Sequence, residues 1–136
     1  MEIDIIKEFL DKKNIIGFIG ASNNKEKWGY KKYKSLKDAG YTVYPINPKY
    51  SDIFGDKCFS DIKSLIDFLN KAPDLLITII PPKITEKVVR DCKRYGINKV
   101  WMQPGSESES AILFCKENDI EVIYGICIIV DALNKL

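Results

Sequence analysis

Short apolar runs alternate with amphipathic stretches along the whole chain, and that alternation constrains the fold more than any single motif. Ile15–Ile19, Tyr41–Ile46, Asp74–Ile80, Asn98–Met102 and Ile120–Tyr124 read as strands. Near-continuous apolar runs of this length mark strands buried on both faces, as in a parallel sheet. Helices are expected between them. One runs from Lys27 to Ala39, with Tyr30, Tyr33 and Leu36 on one face and Gly40 closing its C-terminus. A second follows Ser60 as N-cap, with Ile62, Leu65, Ile66 and Leu69 on its apolar face. A third runs from Ile84 to Tyr95, with Ile84, Val88 and Cys92 inward and Gly96 as its cap; a fourth opens in the Ser/Glu-rich stretch from Ser106 and ends near Glu117. Residues 2–12 read as a short amphipathic helix, and the apolar tail Ile126–Leu136 as a short helix or an interface segment.

Strands and helices joined by loops of a few residues favour βαβ units with right-handed crossovers. The expected class is α/β: a Rossmann-like, doubly wound, parallel five-stranded sheet in the order 3-2-1-4-5. A single domain over residues 1–136 is expected, with no repeat, linker or low-complexity segment. The net charge of +2, with Arg90 and Arg94 the only arginines, argues against a nucleic-acid surface. No apolar run has transmembrane length and no signal-peptide pattern opens the chain, so a cytoplasmic protein without a membrane partner is expected. Cys58, Cys92, Cys115 and Cys127 lack metal-ligand spacing, and there is no histidine, so no zinc site and no histidine-dependent catalysis are expected.

Four pieces fall at the ends of the predicted strands, where an open α/β sheet places its ligand crevice. Gly17-Phe18-Ile19-Gly20-Ala21-Ser22 ends the first strand. Its glycine would let a phosphate approach the backbone, Ser22 would offer a hydroxyl, and Lys25 and Lys27 follow. A tight turn that binds nothing fits the same residues. Asn47-Pro48-Lys49 ends the second strand, where an NAD site would carry an acidic residue. A lysine there suits an extra ribose phosphate, as in coenzyme A or NADP, although Asn-Pro is also a common turn. Ile80-Pro81-Pro82 closes the third strand with an apolar rim, or simply ends it. Met102-Gln103-Pro104-Gly105-Ser106 ends the fourth, with amide groups on Gln103 and room for close approach at Gly105. Trp101 fits core packing, and Cys127 is either a buried structural cysteine or a thiol beside the ligand.

Together with Gly40-Tyr41-Thr42-Val43-Tyr44-Pro45-Ile46 and Gly55-Asp56-Lys57-Cys58, these pieces resemble the CoA-binding protein family. The chain is also similar to the CoA-binding domain of the succinyl-CoA synthetase alpha subunit, from Ile15 to Cys127. The resemblance implies that Gly20, Ala21 and Ser22 attend the phosphates and that Lys49 sits near the ribose phosphate. It implies that Ile80 to Pro82 contact the adenine side, and that Gln103 to Ser106 lie along the crevice. The synthetases' catalytic histidine has no counterpart here, so their activity is not carried over. The expected function is non-catalytic binding of CoA or acyl-CoA by Gly20, Ala21, Ser22, Lys25, Asn47, Pro48, Lys49, Ile80, Pro81, Pro82, Gln103 and Gly105. A small NADP-dependent reductase, or a redox or metabolite sensor acting through partners, are the alternatives; the apolar tail Ile126-Cys127-Ile128-Ile129-Val130 fits either a homodimer interface or core burial.

Overall fold

The computed structural model describes residues 3–128; most of the apolar tail, from residue 129 on, lies outside the described residues. Helix α1 (Ile3–Phe9) leads to strand β1 (Ile15–Ile19), helix α2 (Trp28–Asp38) and strand β2 (Thr42–Ile46). A small hairpin follows, β3 (Asp52–Ile53) and β4 (Asp56–Lys57). Then come α3 (Ile62–Leu69), β5 (Leu75–Thr78), α4 (Pro82–Tyr95), β6 (Lys99–Met102), α5 (Glu109–Glu117) and β7 (Glu121–Ile123).

The five expected strands form one parallel sheet, so the α/β class holds. Their order is not the expected one. The sheet runs β2-β1-β5-β6-β7, which is 2-1-3-4-5 when only its own strands are counted. Two sequence features dictate this. Pro45 lies within β2 and has no N–H to give a second neighbour, which confines that strand to an edge. All four residues of β5 are buried, a pattern that fits an interior strand and would waste apolar surface at the edge. On the outer edge of β2, the Phe59 N–H donates to the Pro45 carbonyl and the Phe59 carbonyl accepts from Asn47 N, both at 2.9 Å.

Alternate residues of each strand feed two cores, the period of two that a pleated sheet demands. Ile16, Phe18, Leu75, Ile77, Trp101 and Ile123 pack with Phe9 of α1, with Tyr33 and Leu36 of α2, and with Ile53 of the hairpin. Leu76, Val100 and Met102 face the opposite way, onto α3, α4 and α5 through Leu65, Val89 and Cys115. Only α2 crosses on the first face between sheet strands, so the winding reverses between β1 and β5.

Helix starts differ in detail from expectation. Asp61, not Ser60, caps α3: its carboxylate accepts from Ser64 N at 2.8 Å and from the Ser64 hydroxyl at 2.7 Å. Those bonds hold the Asp61 pKa below its ordinary value. Helix α4 begins at Pro82, because proline is well suited to the first helical position. Ile84 then falls on the outer side, 45% exposed, while Thr85, Val88, Val89 and Cys92 face inward. Ser108 caps α5 by accepting from Ala111 N at 3.1 Å.

Candidate functional site

A cleft of about 890 Å³ opens at the carboxyl ends of the strands. Gly20 enters it from the end of β1, Asn47 from β2, Ile79 and Ile80 from β5, and Pro104 from β6. This is the place where a sheet whose winding reverses leaves a crevice between diverging connections.

Two glycines set its floor, and both are needed for packing. Gly20 has φ +104°, and a Cβ there would lie 2.2 Å from the Ile79 carbonyl oxygen. A Cβ on Gly29 would lie 2.1 Å from the Gly20 carbonyl oxygen, although the Gly29 φ is not left-handed. The first turn of α2 therefore rests directly on the end of β1. No side chain caps that turn, for Lys27 occupies the N-cap position without a side-chain hydrogen bond. Open amides at the start of an 11-residue helix favour negative charge.

Lys27, Lys32 and Lys49 line the cleft, against one carboxylate, Glu26. Lys32 is the unusual member. It sits on the inward face of α2 with Gly29, Tyr33 and Leu36, and is only 5% exposed. Its ammonium donates to Gln103 Oε1 at 3.0 Å and lies 5.7 Å from the Trp28 ring centre. Among the described residues it forms no ion pair with a carboxylate. Lysine is almost never buried unless paired, so a charge held this way invites an anion.

The surrounding loops are tied to one another. Asn47 Nδ2 donates to the Ala21 carbonyl at 2.9 Å, and Asn47 Oδ1 accepts from Lys49 N at 2.9 Å. The Ser22 hydroxyl accepts from Asn24 N at 3.0 Å and meets the Tyr50 hydroxyl at 3.3 Å. Asn47 thus joins the loops that follow β1 and β2. On the far wall, Pro81 is the N-cap of α4, and Ile79, Ile80, Pro81 and Ile84 form an apolar rim.

Of the residues singled out from sequence, Gly20, Ser22, Asn47, Pro48, Lys49, Ile80 and Pro81 come together on the cleft, with Cys127 beside them. Ala21 is wholly buried, and Lys25 is exposed away from the lining. Pro82 starts α4 and Gly105 takes φ +95° in the exposed turn after β6, both off the lining. Gln103 is fully buried behind Lys32. Trp28, Gly29, Lys32 and Tyr50 also line the cleft and were not foreseen. For Lys32 the signal was present: a lysine on the apolar face of an amphipathic helix.

A family model described as a CoA binding domain matches residues 14–132. The chain belongs to that family. Among curated relatives, an ADP-forming acetate–CoA ligase of Methanocaldococcus jannaschii is 38% identical over 82 residues, covering 60% of this chain and 11% of the ligase. The chain thus spans a small fraction of that relative. A Bacillus subtilis protein, YneT, described as uncharacterized, is 29% identical and covers 96% of this chain and 94% of its own. A solved structure of a conserved hypothetical protein from Pyrococcus furiosus is similar, with a TM-score of 0.79 and 35% identity over 86% of this chain and 97% of that one.

The residues present suit the ligand for which the family is described. Among the described residues Lys32 offers a buried charge without a carboxylate partner, Lys27 leaves the first turn of α2 without a side-chain cap, and Lys49 stands on the exposed lip. The rim from Ile79 to Ile84 is apolar. Among the described residues no helix is long and apolar enough to cross a membrane.

Proposed function

We propose that this chain binds coenzyme A or an acyl-CoA in the cleft between β1 and β5, and performs no chemistry on it. The buried Lys32, without a carboxylate partner among the described residues, carries the reading. A phosphate would complete its charge balance, and the open first turn of α2 would add amide donors. Lys49 would attract the ribose 3′-phosphate as a point charge. Ile80 and Pro81 would provide the apolar wall for the adenine, and the pantetheine arm would run towards Pro104 and Cys127. The hydroxyls on the lining favour binding over proton transfer. Ser22 and Tyr50 meet each other at 3.3 Å, and among the described residues no hydrogen bond joins either to a carboxylate.

Calorimetric titration with CoA, dephospho-CoA and NADP tests the reading. CoA is expected to bind in the micromolar range, roughly −8 kcal/mol. Loss of the 3′-phosphate and Lys49→Ala should each weaken it, and the two losses should not add, since both remove one contact. Binding of NADP without CoA would overturn the assignment.

A further inference from the structure

We propose that Gln103 is a positioning residue that holds the Lys32 ammonium at the cleft while leaving its charge uncancelled, and so sets the preference of the cleft for anionic ligands. The inference rests on the proposed function only in the choice of CoA as one probe.

The geometry around Gln103 fixes the orientation of its amide. Oε1 accepts from Lys32 Nζ at 3.0 Å and from Ile128 N at 3.1 Å. Both partners can only donate, so the oxygen must face them and the NH₂ must face away. There Nε2 is buried and has no acceptor among the described residues. An orphaned buried N–H is costly. Glutamate has the same shape and would accept from the same two donors, while its second oxygen would take the Nε2 position and equally lack a partner among the described residues. It would also place a carboxylate 3 Å-scale contact away from Lys32, in a buried ion pair, where the charge would be spent within the protein. The neutral amide is no better satisfied than a carboxylate would be at that buried position, but it alone keeps the cation on offer.

The same oxygen connects the cleft with the segment after β7. Ile128 N donates to Gln103, and Trp101 Nε1 donates to the Ile126 carbonyl at 3.0 Å. Gln103 and Trp101, both fully buried in and just beyond β6, thereby hold that segment against the sheet. Gln103 itself is not on the cleft lining, so it acts through Lys32.

The test is calorimetry on the full chain with two probes, CoA and inorganic pyrophosphate, and a melting curve for each variant. The variants are Lys32→Met, Gln103→Met, the double variant and Gln103→Glu. Lys32→Met should weaken both probes about tenfold or more, the scale of a charged hydrogen bond. Gln103→Glu should weaken them comparably while melting no lower than Gln103→Met, a loss of binding without a loss of fold. The double variant should bind no worse than Lys32→Met, because Gln103 has nothing to position once the lysine is gone. Gln103→Glu binding both probes as tightly as the parent would overturn the inference. So would losses from Lys32→Met and Gln103→Met that multiply, which would mean that Gln103 touches the anion itself. A parent chain that binds pyrophosphate but not CoA, with the same pattern of variants, would support this inference and sink the CoA reading. A parent that binds neither would sink both.

Discussion

Gly29→Ala separates two physical arguments that predict opposite signs. Judged by helix propensity, the change should stabilise α2 by up to about 1 kcal/mol, since Gly29 is helical and its φ is unstrained. The contact geometry predicts the reverse. The new Cβ would lie 2.1 Å from the Gly20 carbonyl oxygen, whereas ordinary contact begins at 3.4 Å, so the atoms must separate by 1.3 Å (3.4 − 2.1). Gly20 has little room to retreat. Its N–H donates to the Ile46 carbonyl at 3.1 Å, and its own Cβ position is already occupied by the backbone of Ile79. The shift must be taken up by α2, at the roughly 1–3 kcal/mol typical of overpacking. After the propensity gain, the expected net loss is up to about 2 kcal/mol, or up to roughly 7 °C in Tm for a domain of this size. Urea unfolding should show a lower midpoint at unchanged m. CoA affinity should fall too, because Trp28 and Lys32 ride on the displaced helix. A midpoint at or above that of the parent would refute the packing argument and return Gly29 to the role of a dispensable helix residue.

Two further outcomes follow from the titratable groups. Burial, and then the hydrogen bond to the Asp56 carboxylate at 2.8 Å, raise the Tyr33 pKa, and burial raises that of Tyr41. Above about pH 10 the unfolded chain loses these phenolic protons while the native chain keeps them. Stability is therefore fully present below that pH and falls as pH rises beyond it, by up to about 1.4 kcal/mol per pH unit for each such group. Buried Cys58, Cys92 and Cys115, whose pKa values are also raised, should begin the decline nearer pH 8.5. Urea midpoints from pH 8 to 11 should show this slope, and Tyr33→Phe should flatten its upper part; an unchanged slope would remove Tyr33 from the account. The thiols offer a second measurement. Cys92 and Cys115 are fully buried, whereas Cys127 is half-buried on the cleft, so a thiol reagent should modify Cys127 first and CoA should slow it. Labelling of Cys92 as fast as Cys127, read by mass spectrometry, would contradict this placement.

The sequence made the class of fold plain because buried parallel strands leave apolar runs, and because Gly40 and Gly96 punctuate the helix ends at positive φ. The strand order was legible as well, but only through Pro45. A proline in mid-strand fixes β2 at an edge, which excludes an order that puts it between two neighbours. Motif residues at strand ends pointed to the end of the sheet where the cleft opens. They could not show which of those residues face the cleft, since that depends on how α2 and α4 dock. Ala21 and Gln103 are adjacent in sequence to lining residues, yet both are wholly buried. Gly29 carries no pattern of its own, and its necessity comes from a carbonyl nine residues earlier in the chain, at the end of another element.

The residues that break local rules are concentrated at this one end of the molecule. Both cores are built from aliphatic and aromatic side chains in regular alternation, and α3 is closed by the Asp61 cap and a left-handed Asn70. At the carboxyl ends of β1 and β6 the pattern fails repeatedly. A glycine stands in a helix, a lysine occupies an apolar helix face, a helix starts without a side-chain cap, and a buried amide keeps an orphan N–H. Each costs stability when taken alone, and among the described residues no ion pair offsets the burial of Lys32 and no acceptor offsets that of the Gln103 N–H. Three of them bring N–H donors or a cation to the crevice, and the fourth, the Gln103 amide, holds that cation without cancelling its charge. A fold selected for stability alone would have leucine at position 32 and an apolar residue at position 103. The departure from that choice is the strongest physical argument that the crevice is built for an anion, and it holds before any relative is considered.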